Sequence, residues 1–375
     1  MASLSGGSSS GAVGLDIGTD HIRLAQLRAS GAGFVLQRYG VVGLPLGSVV
    51  EGEVVDPEAV GAAIRDLMRS VGMRAGVEVS AGVSNQKVVI RLIDLPYMDA
   101  GELAGAIQYQ AQDYIPIPVE EAIIDFQVIG DYMTSADEHM MEVLLVAAQR
   151  DMIDQLVWSV DRSGLRLSAI DVSSFAIVRG LLGVAPELQP IEGEGEATAI
   201  IQMSAGITNI VVVEKGVPRF TRVSPLAAND FTQAVANALN TTFAVAEDLK
   251  LRVGLPNPDG STGIIAADID PALAQGAQEA LEREVTKFIA EVRRSLDYYL
   301  TQTSSVRAIK RVLLTGSGAQ LRNLDSYIER GLQASVELAD ASAWVQVPPQ
   351  LQPLFSSDRY GATAAIGLAM GSVVA

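Results

Sequence analysis

The sequence predicts an α/β protein assembled from two halves of one design. Three observations predict it. The stretch "VGLDIGTDHIRLAQL" (13–27) alternates apolar residues, Val13, Leu15, Ile17, then Ile22 and Leu24, around Gly18-Thr19-Asp20, so it reads as a β-hairpin with a small-residue tip. The stretch "AIIQMSAGITNIVVVEKGVPRFTRV" (199–223) repeats that shape: apolar strand, small-residue turn, apolar strand. Helical stripes follow each opening. Setting the two hairpins side by side aligns Asp16 with Gln202 and Gly18 with Ser204, with the second turn about one residue longer.

The first half continues with strands to residue 55 and then a helix, "PEAVGAAIRDLMRSVG". This puts Val60, Ile64, Leu67, Met68 and Val71 on one face, with Pro57 at its start and Gly72 at its stop. Strands "GVEVSAGV" and "KVVIRLIDLP" come next. "GELAGAIQYQAQDY" carries Leu103, Ile107, Ala111 and Tyr114 at helical spacing until "IPIP" breaks it. "AIIDFQVIG" and "MEVLLVAAQ" read as strands, "RDMIDQLVWSVDRSG" as a helix, and "AIDVSSFAIVRGLLG" as a short strand entering a helix. The Pro-, Gly- and Glu-rich "APELQPIEGEGEATA" reads as a linker between the halves. In the second half, "NTTFAVAEDLKLRVG" is a helix with Thr242 as cap and Gly254 as stop. A long helix follows, with Leu281, Val285, Phe288, Ile289, Val292, Leu296 and Tyr299 on one stripe. "RVLLTGSGAQLRNLDSYI" is a strand–loop–helix, and a small-residue helix ends the sequence.

Composition narrows the function. The 375 residues are 49% hydrophobic, and 44 acidic against 27 basic side chains give a net charge of −17. Phosphate contacts need Lys and Arg, so no nucleic-acid partner is expected. With no cysteine there is no disulfide, thiolate or zinc–cysteine chemistry, and two histidines, His21 and His139, cannot build a His-rich metal cluster. Residues 1–11 read as a disordered polar tail, not a secretory signal. The apolar C-terminal stretch is shorter than the roughly 20 residues a spanning helix needs, so direct membrane insertion is not expected.

Taken together, these segments resemble the actin-like (ribonuclease H-like) nucleotide-binding superfamily, which includes actin, the heat-shock chaperones, sugar kinases, FtsA and MreB. The likeness rests on "LDIGTDHIRL" as a first phosphate loop, "AIDVSSFAIVRG" as a connecting helix and "IIQMSAGITNI" as a second phosphate loop. It rests also on "AEDLKLRVG", similar to a signature shared by FtsA and MreB, on "LLTGSGAQL" as an adenosine loop, and on "YGATAAIGLA" as a closing helix. "QYQAQDYIPIPVEEAIIDFQVIG" (108–130) narrows this to the PilM family, the cytoplasmic actin-like proteins of type IV pilus assembly. The resemblance implies a duplicated fold with two lobes around a nucleotide cleft. The first lobe core (1A) would be 12–91 with 146–190, and an FtsA-like 1C-type subdomain would be inserted at 92–145. The second lobe core (2A) would be 191–230 with 309–375, and its subdomain (2B) would be 231–308.

By the same resemblance, ATP and Mg²⁺ sit in the cleft. Gly18, Thr19 and Asp20 approach the phosphates and Asp16 faces Mg²⁺ through water; the residues alone also allow an acid that caps its own turn. Gly206, Thr208 and Asn209 are phosphate contacts of the second loop. Glu247 and Lys250, three apart on one helical face, flank the ribose and adenine, or form a solvated ion pair. Gly316, Ser317 and Gly318 hold the adenosine. The sequence departs from the superfamily at Gln202, where an Asp is expected, and at Ser204, where a Gly is expected. Losing one oriented acid costs about 10²–10⁴ in rate, so hydrolysis is expected to be weak or absent. Asp171 is the remaining weak candidate for positioning water, with a structural role as its alternative.

The family implies a partner, the cytoplasmic N-terminal peptide of the membrane protein PilN. Its groove would lie beside the inserted segment, and Ile107, Tyr109, Tyr114, Ile115 and Ile117 either line it or form the subdomain's own core. The expected protein is thus an ATP-binding scaffold of the pilus inner-membrane platform. It would be held at the cytoplasmic face through partners, with pilus motor ATPases and self-association as further candidates. Two alternatives stand beside it. An FtsA-like filament protein would carry a basic amphipathic tail, which "AMGSVVA" does not supply. A sugar or acid kinase needs the acid missing at Gln202.

Overall fold

A computed structural model describes residues 11–31, 33–184, 196–257, 268–303 and 305–374. Most of the expected linker and all but one residue of the expected tail lie outside these. β1 (Ala12–Ile17), β2 (His21–Ser30) and β3 (Gly33–Gly43) form an antiparallel meander, followed by a short hairpin, β4 (Val49–Val50) and β5 (Glu53–Val54). α1 (Pro57–Ser70) starts where the Asp56 carboxylate accepts the Ala59 amide and Pro57 occupies the first turn. β6 (Glu78–Val83) precedes the insertion: β7 (Val88–Pro96), α2 (Ala100–Gln110), β8 (Ala122–Met133) and β9 (His139–Gln149). α3 (Arg150–Ser163), β10 (Arg166–Val172) and α4 (Ser173–Leu182) complete the first half.

The second half opens with the meander β11 (Glu196–Met203), β12 (Thr208–Glu214) and β13 (Val217–Ser224). It continues through α5 (Ala228–Leu239), α6 (Phe243–Val253), α7 (Pro271–Gln302), β14 (Ala308–Thr315), α8 (Leu324–Leu332) and β15 (Ser335–Leu338). β16 (Val345–Gln346), α9 (Gln352–Asp358) and α10 (Thr363–Val374) follow.

The duplication is visible in strand order. The first sheet runs β10-β6-β1-β2-β3-β16 and the second β15-β14-β11-β12-β13. In each, an antiparallel meander joins two further strands that run parallel to its first strand. The two opening hairpins have equal length. Ile17 pairs with Ile22 as Met203 pairs with Thr208, and Gly18 N–H donates to the His21 carbonyl as Ser204 N–H donates to that of Ile207, both at 2.9 Å. The extra residue expected in the second turn does not exist, because Met203 still belongs to the strand ladder.

Each half lends a helix to the other. α4, from the first half, packs Ile177, Val178, Leu181 and Leu182 against Ile200, Val211, Val213 and Leu313 of the second sheet. Residues 340–374, grouped by sequence with the second half, cross back. β16 pairs in parallel with β3, and α10 covers the first sheet, where Ala362, Ala365, Ile366, Ala369 and Met370 meet Ala25, Leu27 and Leu36. Small residues make this layering close enough to work. A Cβ on Gly367 would lie 1.7 Å from the Ala176 carbonyl oxygen, and one on Gly14 2.0 Å from that of Ala365.

The insertion is a three-stranded sheet, β7-β9-β8, with α2 on one face. Its strands begin at Val88 and reach Gln149, beyond the expected 92–145, because pairing is continuous from Val88–Ala148 to Pro96–Met140. Arg219 of β13 bonds both carboxylate oxygens of Glu142 on β9, at 2.7 and 2.8 Å, tying the insertion to the second sheet. Among the described residues no helix is long and apolar enough to cross a membrane.

Candidate functional site

The two hairpin tips meet. Thr19 of the first faces Gly206 of the second so closely that a Cβ on Gly206 would lie 2.3 Å from Thr19 Oγ1. The pocket at this junction is lined by Asp16, Gly18, Thr19, Asp20, Gln202, Ser204 and Asn209, together with Arg23, Gly82, Ser84 and Ser173. The Thr19 hydroxyl oxygen is buried with no hydrogen-bond partner among the described residues. An acceptor-rich group such as a phosphate would satisfy it, and the bare glycine opposite leaves backbone within reach.

Asp16 is half-buried, and no hydrogen bond or ion pair reaches its carboxyl from the described residues. Loss of hydration on the pocket floor pushes it up to about 6; Arg23 opposes the shift, and Asp358 and Asp20 add to it. Such an unpaired acid could hold a hydrated cation, whose charge would bring the carboxylate back to its ionised form. Asp20 also loses hydration, but His21, whose Nδ1 is 2.9 Å away, and then Arg23 hold it below the usual carboxylate value.

The second tip is wired differently. Gln202 donates to Ser204 Oγ at 2.8 Å and accepts from Asn209 Nδ2 at 2.8 Å, while Asn209 Oδ1 takes the Ser84 hydroxyl at 2.6 Å. Gln202 is therefore a neutral link in a chain that joins the two halves, and both of its polar ends are engaged. It can position a water or a phosphate but cannot take a proton as a carboxylate would.

Other predicted residues sit nearby. The N–H groups of Ala228 and Asn229, at the start of α5, donate to the carbonyls of Ser204 and Ala205. Lys250, almost fully buried, donates to the Ala228 carbonyl at 3.3 Å and Thr232 Oγ1 at 2.8 Å and pairs with Glu247 at 2.7 Å. The Glu247–Lys250 pair is thus not a solvated surface pair; it locks α6 onto α5 behind the second tip. Gly316, at φ 90°, lies over β11, where a Cβ would come 2.3 Å from the Met203 carbonyl oxygen, and Gly318 packs on the Met203 side chain. Ser317 begins the short turn between them.

Three expectations need correction. Thr208 is fully buried and donates to the Leu226 carbonyl at 2.9 Å, so its hydroxyl is committed away from the tip. Asp171 pairs with Arg179 and accepts the Val172 amide at 2.7 Å; it holds the start of α4 and does not line the pocket. Ile107 and Ile115 are in the insertion's core against Leu103, Val143 and Leu145, because one apolar side of α2 must cover the sheet; they do not line an open groove. Tyr109 and Tyr114 remain exposed and Ile117 is half-buried.

Sequence reasoning passed over Ser84, Arg23, Tyr39 and Asp358. Ser84 follows the C-terminal end of β6, where α/β sheets place ligand-facing groups, and that position was a usable signal. Arg23 reads as an ordinary polar position in an alternating strand, and its partner is 335 residues away.

Two facing sheets of one strand order, with glycine-bearing tips meeting where the halves join, define an actin-like protein. The chain belongs to the family described as type IV pilus assembly protein PilM, whose model matches residues 14–373. It is similar in fold to the chain of a PilM–PilN type IV pilus biogenesis complex, with TM-score 0.78 and 24% identity over 96% of this chain and 98% of that one. It is also similar to ADP-bound MreB5 of Spiroplasma citri, with TM-score 0.50 and 13% identity over 96% and 95% of the two chains. Among curated relatives, the cell division protein FtsA of Streptococcus pneumoniae serotype 2 is 24% identical over 65% of this chain, which spans 56% of that relative's length.

Proposed function

We propose that this protein is an ATP-binding scaffold of the type IV pilus inner-membrane platform, with weak or absent hydrolysis. It would be cytoplasmic and held at the membrane by the N-terminal peptide of PilN. The observation that carries the reading is the pairing of an unpaired Asp16 on one tip with a fully engaged Gln202 on the other. That arrangement fits retention of a magnesium nucleotide and lacks the second acid that turnover needs. The two lobes, one built on the sheet that contains β1 and the other on the sheet that contains β11, would close on it. Nucleotide would then bias the face offered to partners by its differential affinity for the closed form. The solved PilM–PilN complex and the ADP-bound MreB5 support partner and nucleotide respectively. The exposed Tyr109 and Tyr114 are the surface contacts we assign to the peptide.

The test is calorimetry with ATP and Mg²⁺, followed by titration of a PilN-like N-terminal peptide with and without nucleotide. Saturable ATP binding with negligible ADP release is expected. Fast turnover on a sugar panel would replace this reading with a kinase. Gln202→Asp restores an acid that Ser204 Oγ and Asn209 Nδ2 can both donate to. It should raise ADP release by about a hundredfold, the low end of what an oriented acid–base group contributes. The FtsA relatives favour a second reading, a filament-forming protein. Negative-stain microscopy with ATP and lipid separates the two.

A further inference from the structure

Asp16 and Arg23 are directly opposite each other across the first hairpin. Opposite charges in that relation lie within easy reach and ordinarily pair. Here they do not. Arg23 Nε and Nη2 donate to the two oxygens of Asp358 at 2.7 and 2.9 Å, and the Tyr39 hydroxyl donates to the same carboxylate at 2.5 Å. The two-pronged geometry fixes the plane of the guanidinium, and both side chains are nearly excluded from water. Gly361 makes the space: a Cβ there would come 2.4 Å from Asp358 Oδ1 and 2.7 Å from Arg23 Nε. The second hairpin shows the contrast. At the equivalent pair, Asn209 turns onto Gln202 and occupies it.

We infer that Asp358 is a positioning residue of the cleft. By holding the Arg23 guanidinium it keeps Arg23 off Asp16, and the Asp16 carboxylate stays available to a hydrated divalent cation. The turn after Asp358 also reaches the opposite side of the cleft, since the Tyr360 carbonyl accepts the Gly316 amide and the Thr315 hydroxyl, each at 3.2 Å. The inference rests on reading the cleft as a magnesium–nucleotide site.

The experiment measures ATP affinity by calorimetry in Mg²⁺ and in EDTA for the parent, Asp358→Asn, Arg23→Gln and the double variant. The parent should bind more tightly in Mg²⁺. In Asp358→Asn the released Arg23 turns to Asp16, and that gain should fall by at least about tenfold, equivalent to one lost charge-assisted interaction, with affinity in EDTA not reduced. The double variant should regain the Mg²⁺ effect, because nothing remains to occupy Asp16; a side chain needed only for folding would give no such rescue. An undiminished gain in Asp358→Asn, or a double variant as insensitive to Mg²⁺ as the single, overturns the inference while leaving nucleotide binding intact. A parent that binds no ATP in either buffer overturns both. Should Asp358→Asn not fold, Arg23→Gln decides: a retained Mg²⁺ gain supports the inference and a lost one overturns it.

Discussion

Gly367→Ala is expected to unfold well below the parent, by about 3 kcal/mol or more, although it adds one methyl group. Overpacking typically costs 1–3 kcal/mol when neighbours can shift. Here the neighbour is backbone: the new Cβ would stand 1.7 Å from the Ala176 carbonyl oxygen, so α10 and α4 must separate along their whole contact. That separation also lifts α10 from the first sheet, where the missing Cβ of Gly14 lets the Ala365 carbonyl approach. Gly105→Ala is the matched control. Gly105 is inside α2 with nothing within 4 Å of its Cβ direction, so alanine should stabilise by about 0.5–1 kcal/mol through helix propensity. Thermal and denaturant unfolding of the two variants checks both signs. Equal midpoints would mean the helices are not in the contact described.

Asp16→Asn should move stability and binding in opposite directions. The folded pKa of Asp16, about 6, lies above its ordinary 3.8, so the folded chain holds this proton more tightly than the unfolded chain. The resulting stabilisation is complete below about pH 4 and is lost as pH rises through about 6. At neutral pH, in metal-free buffer, the ionised carboxyl therefore costs about 1–3 kcal/mol, and the neutral amide removes that cost. The variant should gain stability over the parent between about pH 4 and pH 6, hold the gain at higher pH, and lose the Mg²⁺-dependent part of ATP binding. Unfolding measured at pH 4, 5, 6 and 7.5, with ATP titration at neutral pH, tests both. A variant less stable than the parent at pH 7.5 would remove the unpaired acid from the account.

The hairpin tips were legible because strand alternation on both sides isolates Gly18-Thr19-Asp20 and Ser204-Ala205-Gly206 as turns, and the departure at Gln202 could be read directly. The likeness of the halves was legible for the same reason; the equal length of the turns was not, since Met203 looks like turn or strand until the ladder to Thr208 is seen. The inward direction of Ile107 and Ile115 was left open because a helical stripe shows which side is apolar without showing what covers it. The least legible parts were the long-range ones. Nothing local to Arg23 points to Asp358. Nothing local to α10 says that its alanines cover strands made more than 300 residues earlier, because small side chains report that packing is close and not with whom.

The exchange of helices between the halves also sets an order on biosynthesis. At about 5–20 residues per second, a ribosome needs roughly 20–70 s to travel from the first hairpin to α10. Throughout that interval Ala25, Leu27, Leu36 and Tyr39 have no lid, and the edge at Phe34 and Val35 has no neighbour. The nascent chain therefore carries this apolar face uncovered until α10 emerges.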